Sequence, residues 1–357
     1  MKFLHTSDLH IGKSLHGYSL DEDIRRILER LLEYAKEDKA DALIIAGDVF
    51  DRALPTVESL SIFSDFLTHL VDSEVHVFII PGNHDNPERL TFVRRILARN
   101  KIYIAPTYDG ELFCVKLSDV FGNINIYMAP YMNPGEIEKI FPENGYADII
   151  LKANINYEER NIFIGHQYFN AKGVNRVDNT TTDYAIDAKI LERFDYAALG
   201  HLHREQQAKY NHVRYSGSPL KFSRNEKDYE KFAIFIEIRE KNNYSISPKP
   251  LIPLRDVKFL RGTLDELLSE GSEDYVYIRL LADAPNARAE LKRAYPNMLD
   301  LETPQSIIIK NSLKSNLNER GGMNPEELFE IFYEETNGKL NDLQRKMLKE
   351  IFNFETS

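Results

Sequence analysis

The 357-residue chain is short of cysteine, of long apolar runs and of basic residues, and each shortage removes a class of function. A single cysteine, Cys114, excludes an internal disulfide and with it a stapled secreted scaffold. It falls in the strand-like alternation of residues 112–117, where a buried thiol in a reducing compartment is expected. No stretch approaches the roughly 20 apolar residues of a membrane span, and Lys2-Phe3-Leu4-His5 starts without the apolar region of a signal peptide. A cytoplasmic protein is the expectation. The 45 Lys and Arg against 56 Asp and Glu leave a net charge of −11, which argues against a protein that coats nucleic acid by neutralising phosphates. A local site escapes that argument, because two bound divalent cations would reverse the field at a carboxylate cluster.

A nucleotide loop is also missing. Gly12-Lys13-Ser14 could end a phosphate-cradling P-loop, but the glycine needed five residues before Gly12 is Ser7, and Asp8 would turn negative charge towards the phosphates. An internal ATPase is therefore excluded.

What is present begins with buried strands at 2–6, 42–46 and 75–80, alternating with amphipathic helices at 21–36 and 57–70. That order gives a right-handed α/β sheet. A third helix is predicted at 88–100. Short strands at 112–117, 124–129, 162–164, 197–199, 213–215 and 232–238 predict a second sheet packed on the first, an α/β/β/α sandwich over residues 1–250. Pro248, Pro250 and Pro253 bracket a boundary. A small α/β cap is expected at 251–310, with strands at 275–281 and 306–310 around a helix at 287–295. Residues 311–323 read as a linker. Asn324-Pro325-Glu326-Glu327 has a cap residue, proline and acids in helix-starting order, so 324–357 is predicted to form two helices broken at Asn337-Gly338. The second carries Leu340, Leu343, Met347, Leu348 and Ile351 on one stripe, which either folds back on the body or docks on a partner helix.

The chemistry is concentrated at strand ends. Asp48, just past the apolar run 42–46, is the hub of a set that includes Asp8, His10, Asn83, His166, His201 and His203. One sheet edge could hold them all. Seven oxygen and nitrogen donors without cysteine suit two divalent ions such as Mn²⁺ or Fe²⁺, and disfavour tetrahedral structural zinc. Two ions sharing one carboxylate sit roughly 3.5–4 Å apart and favour in-line hydrolysis of a phosphoester. His5, His16, His69, His76 and His212 lie outside the pattern and are expected to be structural or superficial.

In chain order the motifs are Asp-x-His, Gly-Asp-x-x-Asp, Gly-Asn-His-Asp, Gly-His and Gly-His-x-His. This set resembles the calcineurin-like metallophosphoesterase superfamily over about residues 1–240. Within it, Leu4-His5-Thr6-Ser7-Asp8-Leu9-His10, Ala46-Gly47-Asp48-Val49-Phe50-Asp51, Ala198-Leu199-Gly200-His201-Leu202-His203-Arg204 and Tyr215-Ser216-Gly217-Ser218-Pro219 resemble the bacterial SbcD nuclease-subunit family. The resemblance implies that Asp8, His10, Asp48 and His203 hold one ion, and Asp48, Asn83, His166 and His201 the other. It makes His84 a transition-state stabiliser or general acid, Asp51 the residue that orients His84, and Arg52 a contact to substrate phosphate. It further implies a Mn²⁺-dependent DNA exonuclease on duplex ends and endonuclease on single strands or hairpins, acting in repair and recombination. The partners implied are DNA, touched by the cap, and an SbcC-type coiled-coil ATPase bound by the terminal helices. A homodimer formed through helices 57–70 and 88–100, within a heterotetramer in the nucleoid, completes the expectation. The alternative from the same superfamily is a phosphatase or cyclic-nucleotide phosphodiesterase.

Overall fold

The computed structural model describes residues 1–143, 145–170 and 185–306 and, nearer the C-terminus, 329–330, 333, 339–341, 343–345 and 347–348. Two-residue ribbons aside, the chain runs β1 (Lys2–Thr6), α1 (Asp21–Glu37), β2 (Ala42–Ala46), α2 (Val57–Asp72), β3 (His76–Ile80), α3 (Pro87–Thr91), α4 (Arg94–Leu97) and β4 (Ile102–Ile104). Then follow β5 (Phe113–Asp119), β6 (Gly122–Ala129), α5 (Pro134–Ile140), α6 (Ala147–Leu151), β7 (Arg160–His166), β8 (Tyr196–Gly200), β9 (Gln206–Gln207), β10 (Val213–Tyr215), β11 (Phe232–Ile238) and β12 (Tyr244–Pro250). The first sheet has the order β12-β11-β1-β2-β3-β4 and the second β9-β10-β8-β7-β6-β5. β1 to β4 are mutually parallel, as are β10, β8, β7 and β6.

β2 shows why this sequence makes a two-sheet sandwich. All five of its residues are buried, so it must be covered on both faces. Leu43 and Ile45 join the core under α1 and α2, whereas Ala42, Ile44 and Ala46 join Ile126, Ile162, Ile164 and Ala198 of the second sheet. The outer face of that sheet, with Phe163, Ala197, Leu199 and Tyr215, packs under α5 and α6. The layers are therefore α/β/β/α, as expected. On α2, Thr56 caps Ser59 N at 3.1 Å, and Phe63, Phe66 and Leu70 are all core.

The cap is built from three parallel strands, β13 (Val257–Gly262), β14 (Tyr275–Leu280) and β15 (Met298–Glu302), with α7 (Leu264–Leu268) and α8 (Ala287–Ala294) on one face. Its other face lays Tyr275, Tyr277 and Leu299 onto the core that contains α1. Arg255 ties the two units by pairing with Asp23 of α1 at 2.8 Å.

The structure departs from the sequence reading in four places. The predicted helix at 88–100 is two short helices and a 3-10 turn, interrupted at Phe92-Val93, where Phe92 is exposed. Met298–Glu302 forms a cap strand that the sequence reading did not anticipate; of the strand expected at 306–310, Ser306 lies in a helical turn closed by Thr303, and 307–310 lie outside the described residues. β13 and α7 had no counterpart in the sequence reading, although Thr263 and Glu266 form a capping box. Cys114 is exposed, because β5 is an edge strand whose Phe113, Val115 and Leu117 take the inward positions. The predicted helix start at Asn324 lies outside the described residues. Of the terminal stripe, Leu340 and Leu348 are buried while Leu343 and Met347 are exposed. Among the described residues no helix is long and apolar enough to cross a membrane.

Candidate metal centre

The expected single sheet edge is two sheet edges that meet. β1, β2 and β3 of one sheet, and β7 and β8 of the other, end at the same rim and deliver the seven donors from opposite sides. The crowding is visible in the backbone. Asp8, His10, Asp48 and His201 all adopt positive φ (52°, 44°, 50° and 96°), a region that costs residues with a Cβ about 1–3 kcal/mol each. Gly200 is where the sheets touch: a Cβ there would sit on the Ala46 carbonyl oxygen, with His166 Nδ1 and Ser7 Cβ just beyond.

The donor atoms converge. His10 Nε2 is 3.2 Å from His203 Nε2 and 3.6 Å from Asp48 Oδ2. His166 Nε2 is 3.4 Å from Asp48 Oδ2, 3.1 Å from Asn83 Oδ1 and 4.0 Å from Asp8 Oδ1. His201 Nδ1 is 3.1 Å from Asn83 Oδ1. Three triads have ligand atoms within 4.8 Å of one another: Asp8, His10 and His203; Asp8, Asp48 and His166; and His10, Asp48 and His84. All of the predicted donors thus reach one place, and His84 stands against them, its ring 4.7 Å from that of His10.

The hydrogen bonds show that this convergence suits cations. His166 Nδ1 faces the Ala46 carbonyl at 2.7 Å and must donate to it, which leaves Nε2 as a lone pair aimed at two more acceptors. Asp8 accepts from His201 N at 3.0 Å and from Ser7 Oγ, and Asp48 Oδ1 accepts from His84 N at 2.8 Å, so these carboxylates are fixed before any ion arrives. Acceptors turned on acceptors are stable only with positive charge between them. Without metal, protons serve. Burial would depress His166, but Asp48 and Asp8 outweigh it and raise it to about 9. Burial would raise Asp48, yet His166, His10 and His84 hold it far below the usual carboxylate range.

Asp51 meets His84 through its main chain. His84 Nδ1 donates to the backbone carbonyl of Asp51 at 2.9 Å, not to its carboxylate. The carboxylate instead lies 3.5 Å from His10 Nδ1 and 2.8 Å from Lys13 Nζ, and these two overcome burial to hold it at about 2. Lys13, the near-miss P-loop lysine, is occupied by this carboxylate. Arg52 is 74% exposed and lies 3.8 Å from Asp51 Oδ2.

Several supporting residues received no role from the sequence. Asp85 accepts from the backbone of Gly82, Val49 and Phe50 and so ties the β2 and β3 loops together; burial and the nearby Asp48 push it up to about 6. Its place in Gly-Asn-His-Asp was a signal, but no role was read from it. Glu226 and Lys231 form a buried pair at 2.5 Å, with Glu226 Oε1 3.4 Å from His203 Nδ1. Nothing in the sequence around them signals that pair.

The calcineurin-like phosphoesterase family matches residues 1–205, and the family described as type 5 capsule protein repressor C-terminal domain matches 253–337. The chain is similar to the SbcD subunit of the SbcCD nuclease of Staphylococcus saprophyticus, at 27% identity over 98% of this chain and 97% of that protein. It is similar to the protein of the same name in Staphylococcus epidermidis, at 25% over 99% and 98%. Among solved structures, a dimetal phosphatase from Danio rerio aligns with a TM-score of 0.41 and 8% identity, over 71% of this chain and 96% of that one. With the family matching more than half of the chain, and every motif of the set converging on one rim, this protein belongs to the calcineurin-like phosphoesterase family.

Proposed function

We propose that the chain is a two-metal DNA nuclease, the nuclease subunit of an SbcCD-type complex. The convergence of Asp8, His10, Asp48, Asn83, His166, His201 and His203 carries the phosphodiesterase part of this reading. Similarity along nearly the whole chain to proteins named as nuclease subunits supports DNA as the substrate. One ion would be held by Asp8, His10, Asp48 and His203, the other by Asp48, Asn83, His166 and His201, and Mn²⁺ would fit their mixed oxygen and imidazole set. Bound there, the pair supplies a water activated near neutral pH and neutralises charge developing on the phosphate oxygens.

The chain's own groups do the rest. The carbonyl of Asp51 only accepts, so His84 keeps its Nδ1 proton and Nε2 is the atom whose proton changes. Protonated, Nε2 donates to the phosphate in the transition state or to the leaving 3′ oxygen. Asp51, itself paired with Lys13, stands behind His10, the arrangement in which a carboxylate fixes a ligating imidazole. Arg52, exposed at the rim, contacts a neighbouring phosphate of the strand. Cleavage covers duplex ends as an exonuclease and single strands or hairpins as an endonuclease, with the cap on DNA. An SbcC-type ATPase binds the terminal helices, where Phe329, Leu343 and Met347 are exposed.

The test is purified protein with Mn²⁺ on 5′- and 3′-labelled duplex and hairpin DNA, with and without the ATPase. Cleavage that requires Mn²⁺ is expected, and His84→Ala should lose about 10²-fold or more in rate while keeping its metals. Turnover of a phosphomonoester far above DNA cleavage would overturn the nuclease reading, and metal loss in His84→Ala would overturn the role of His84.

A further inference from the structure

One support of the metal centre is tied to the cap. His203 Nδ1 faces Glu226 Oε1 at 3.4 Å, and Glu226 sits on a one-turn 3-10 helix, Arg224–Glu226. The other oxygen of Glu226 takes Lys231 Nζ at 2.5 Å and lies 3.4 Å from Ser218 Oγ, so the buried carboxylate is held from both sides. Lys231 also donates to the His203 carbonyl at 2.9 Å.

Two residues before Glu226, the same turn reaches into the cap. Arg224 Nη1 donates to Glu302 Oε1 of β15 at 2.6 Å. Its guanidinium lies 4.2 Å over the Phe259 ring of β13 and 5.8 Å from the Tyr277 ring of β14. Glu302 is fixed in turn by Arg279 of β14, through Nε at 2.7 Å and Nη2 at 2.6 Å. All three cap strands grip this one arginine. The turn between Arg224 and Glu226 has little slack, since Glu226 N bonds the Ser223 carbonyl at 3.1 Å and Lys227 N the Arg224 carbonyl at 3.3 Å.

We propose that Arg224 is a positioning residue through which the C-terminal α/β unit sets the placement of His203 in the metal centre. The proposal rests on the two-metal reading and sharpens it: the cap acts on the ion held by His203 and leaves the Asn83, His166 and His201 side alone. The other arginine joining cap to body, Arg255, pairs with Glu22 and Asp23 on α1, which carries no donor. It is the natural control.

The experiment is calorimetric titration of the full chain with Mn²⁺, alongside melting of the metal-free protein. Arg224→Ala and Glu302→Gln should each weaken one of two ions about tenfold, the scale of losing an outer support of a ligating histidine. The double variant should be no worse than either alone, and Arg224→Lys should recover most of the affinity by restoring a cation on Glu302. Arg255→Ala should lower the melting temperature with both affinities unchanged. Wild-type affinities in Arg224→Ala, or an equal loss in Arg255→Ala, would overturn the proposal while leaving the two-metal reading intact. A wild-type chain that binds no pair of ions would overturn that reading and the coupling with it.

Discussion

His5 and His10 lie on one short stretch and are used in opposite ways. His10 faces the metal centre; His5 is fully buried between the sheets, with Nδ1 2.9 Å from the Tyr196 hydroxyl and no hydrogen-bond partner for Nε2. Burial pushes its pKa down to about 3, with the charge of Arg214 assisting. In the unfolded chain the same imidazole takes its proton near 6.5. Between those values the unfolded state binds a proton that the folded state refuses, so stability is fully present above pH 6.5 and falls as the pH drops towards 3. The slope from one such group is about 1.4 kcal/mol per pH unit. Urea midpoints at pH 7 and pH 5 should separate less in His5→Gln than in the wild type, and equal separations would contradict this role. At this scale the donors were legible because each follows an apolar run and most adjoin a glycine. Asp51 was not, since a sequence does not tell a carboxylate from a carbonyl as the partner of His84. Glu226 was silent because its tie to His203 spans 23 residues of chain and exists only in the folded state.

Elements place those residues by ending where they do. β2, β7 and β8 stop at one rim, and His166 on β7 reaches across to the Ala46 carbonyl of β2, so the two sheets are stitched at the site itself. Gly200 is the narrow point of that stitch. Gly200→Ala should cost about 3 kcal/mol in denaturant unfolding, the upper range for overpacking, and should weaken metal binding by shifting His166 and His201. A neutral substitution would show that the sheets have room to part. The buried parallel strands were legible, since unbroken runs such as 42–46 leave no other reading. The helix at 88–100 was not, because its apolar spacing continues across Phe92-Val93 while the backbone breaks there. The strand at 298–302 was hidden by Asp300 in its middle, and the richer β-branched run just after it drew the expectation instead.

For the whole molecule, the exposed apolar side chains and Asp48 are the features that matter. Val57 and Leu60 on α2, with Phe92 and Ile96 beyond β3, are 50–85% exposed. A second copy of this chain is the proposed cover. Light scattering should then find a dimer for the wild type and a monomer for Phe92→Asp with Ile96→Asp, and an unchanged mass would send the interface elsewhere. At the centre, Asp48 faces His10 on one side and His166 on the other. On the proposed two-metal reading it is the one carboxylate both ions would share, so the number of Mn²⁺ bound per chain tests the account most directly. Calorimetric titration should find two in the wild type and neither tightly held in Asp48→Ala; a single ion in the wild type, or an undisturbed pair in Asp48→Ala, would contradict it.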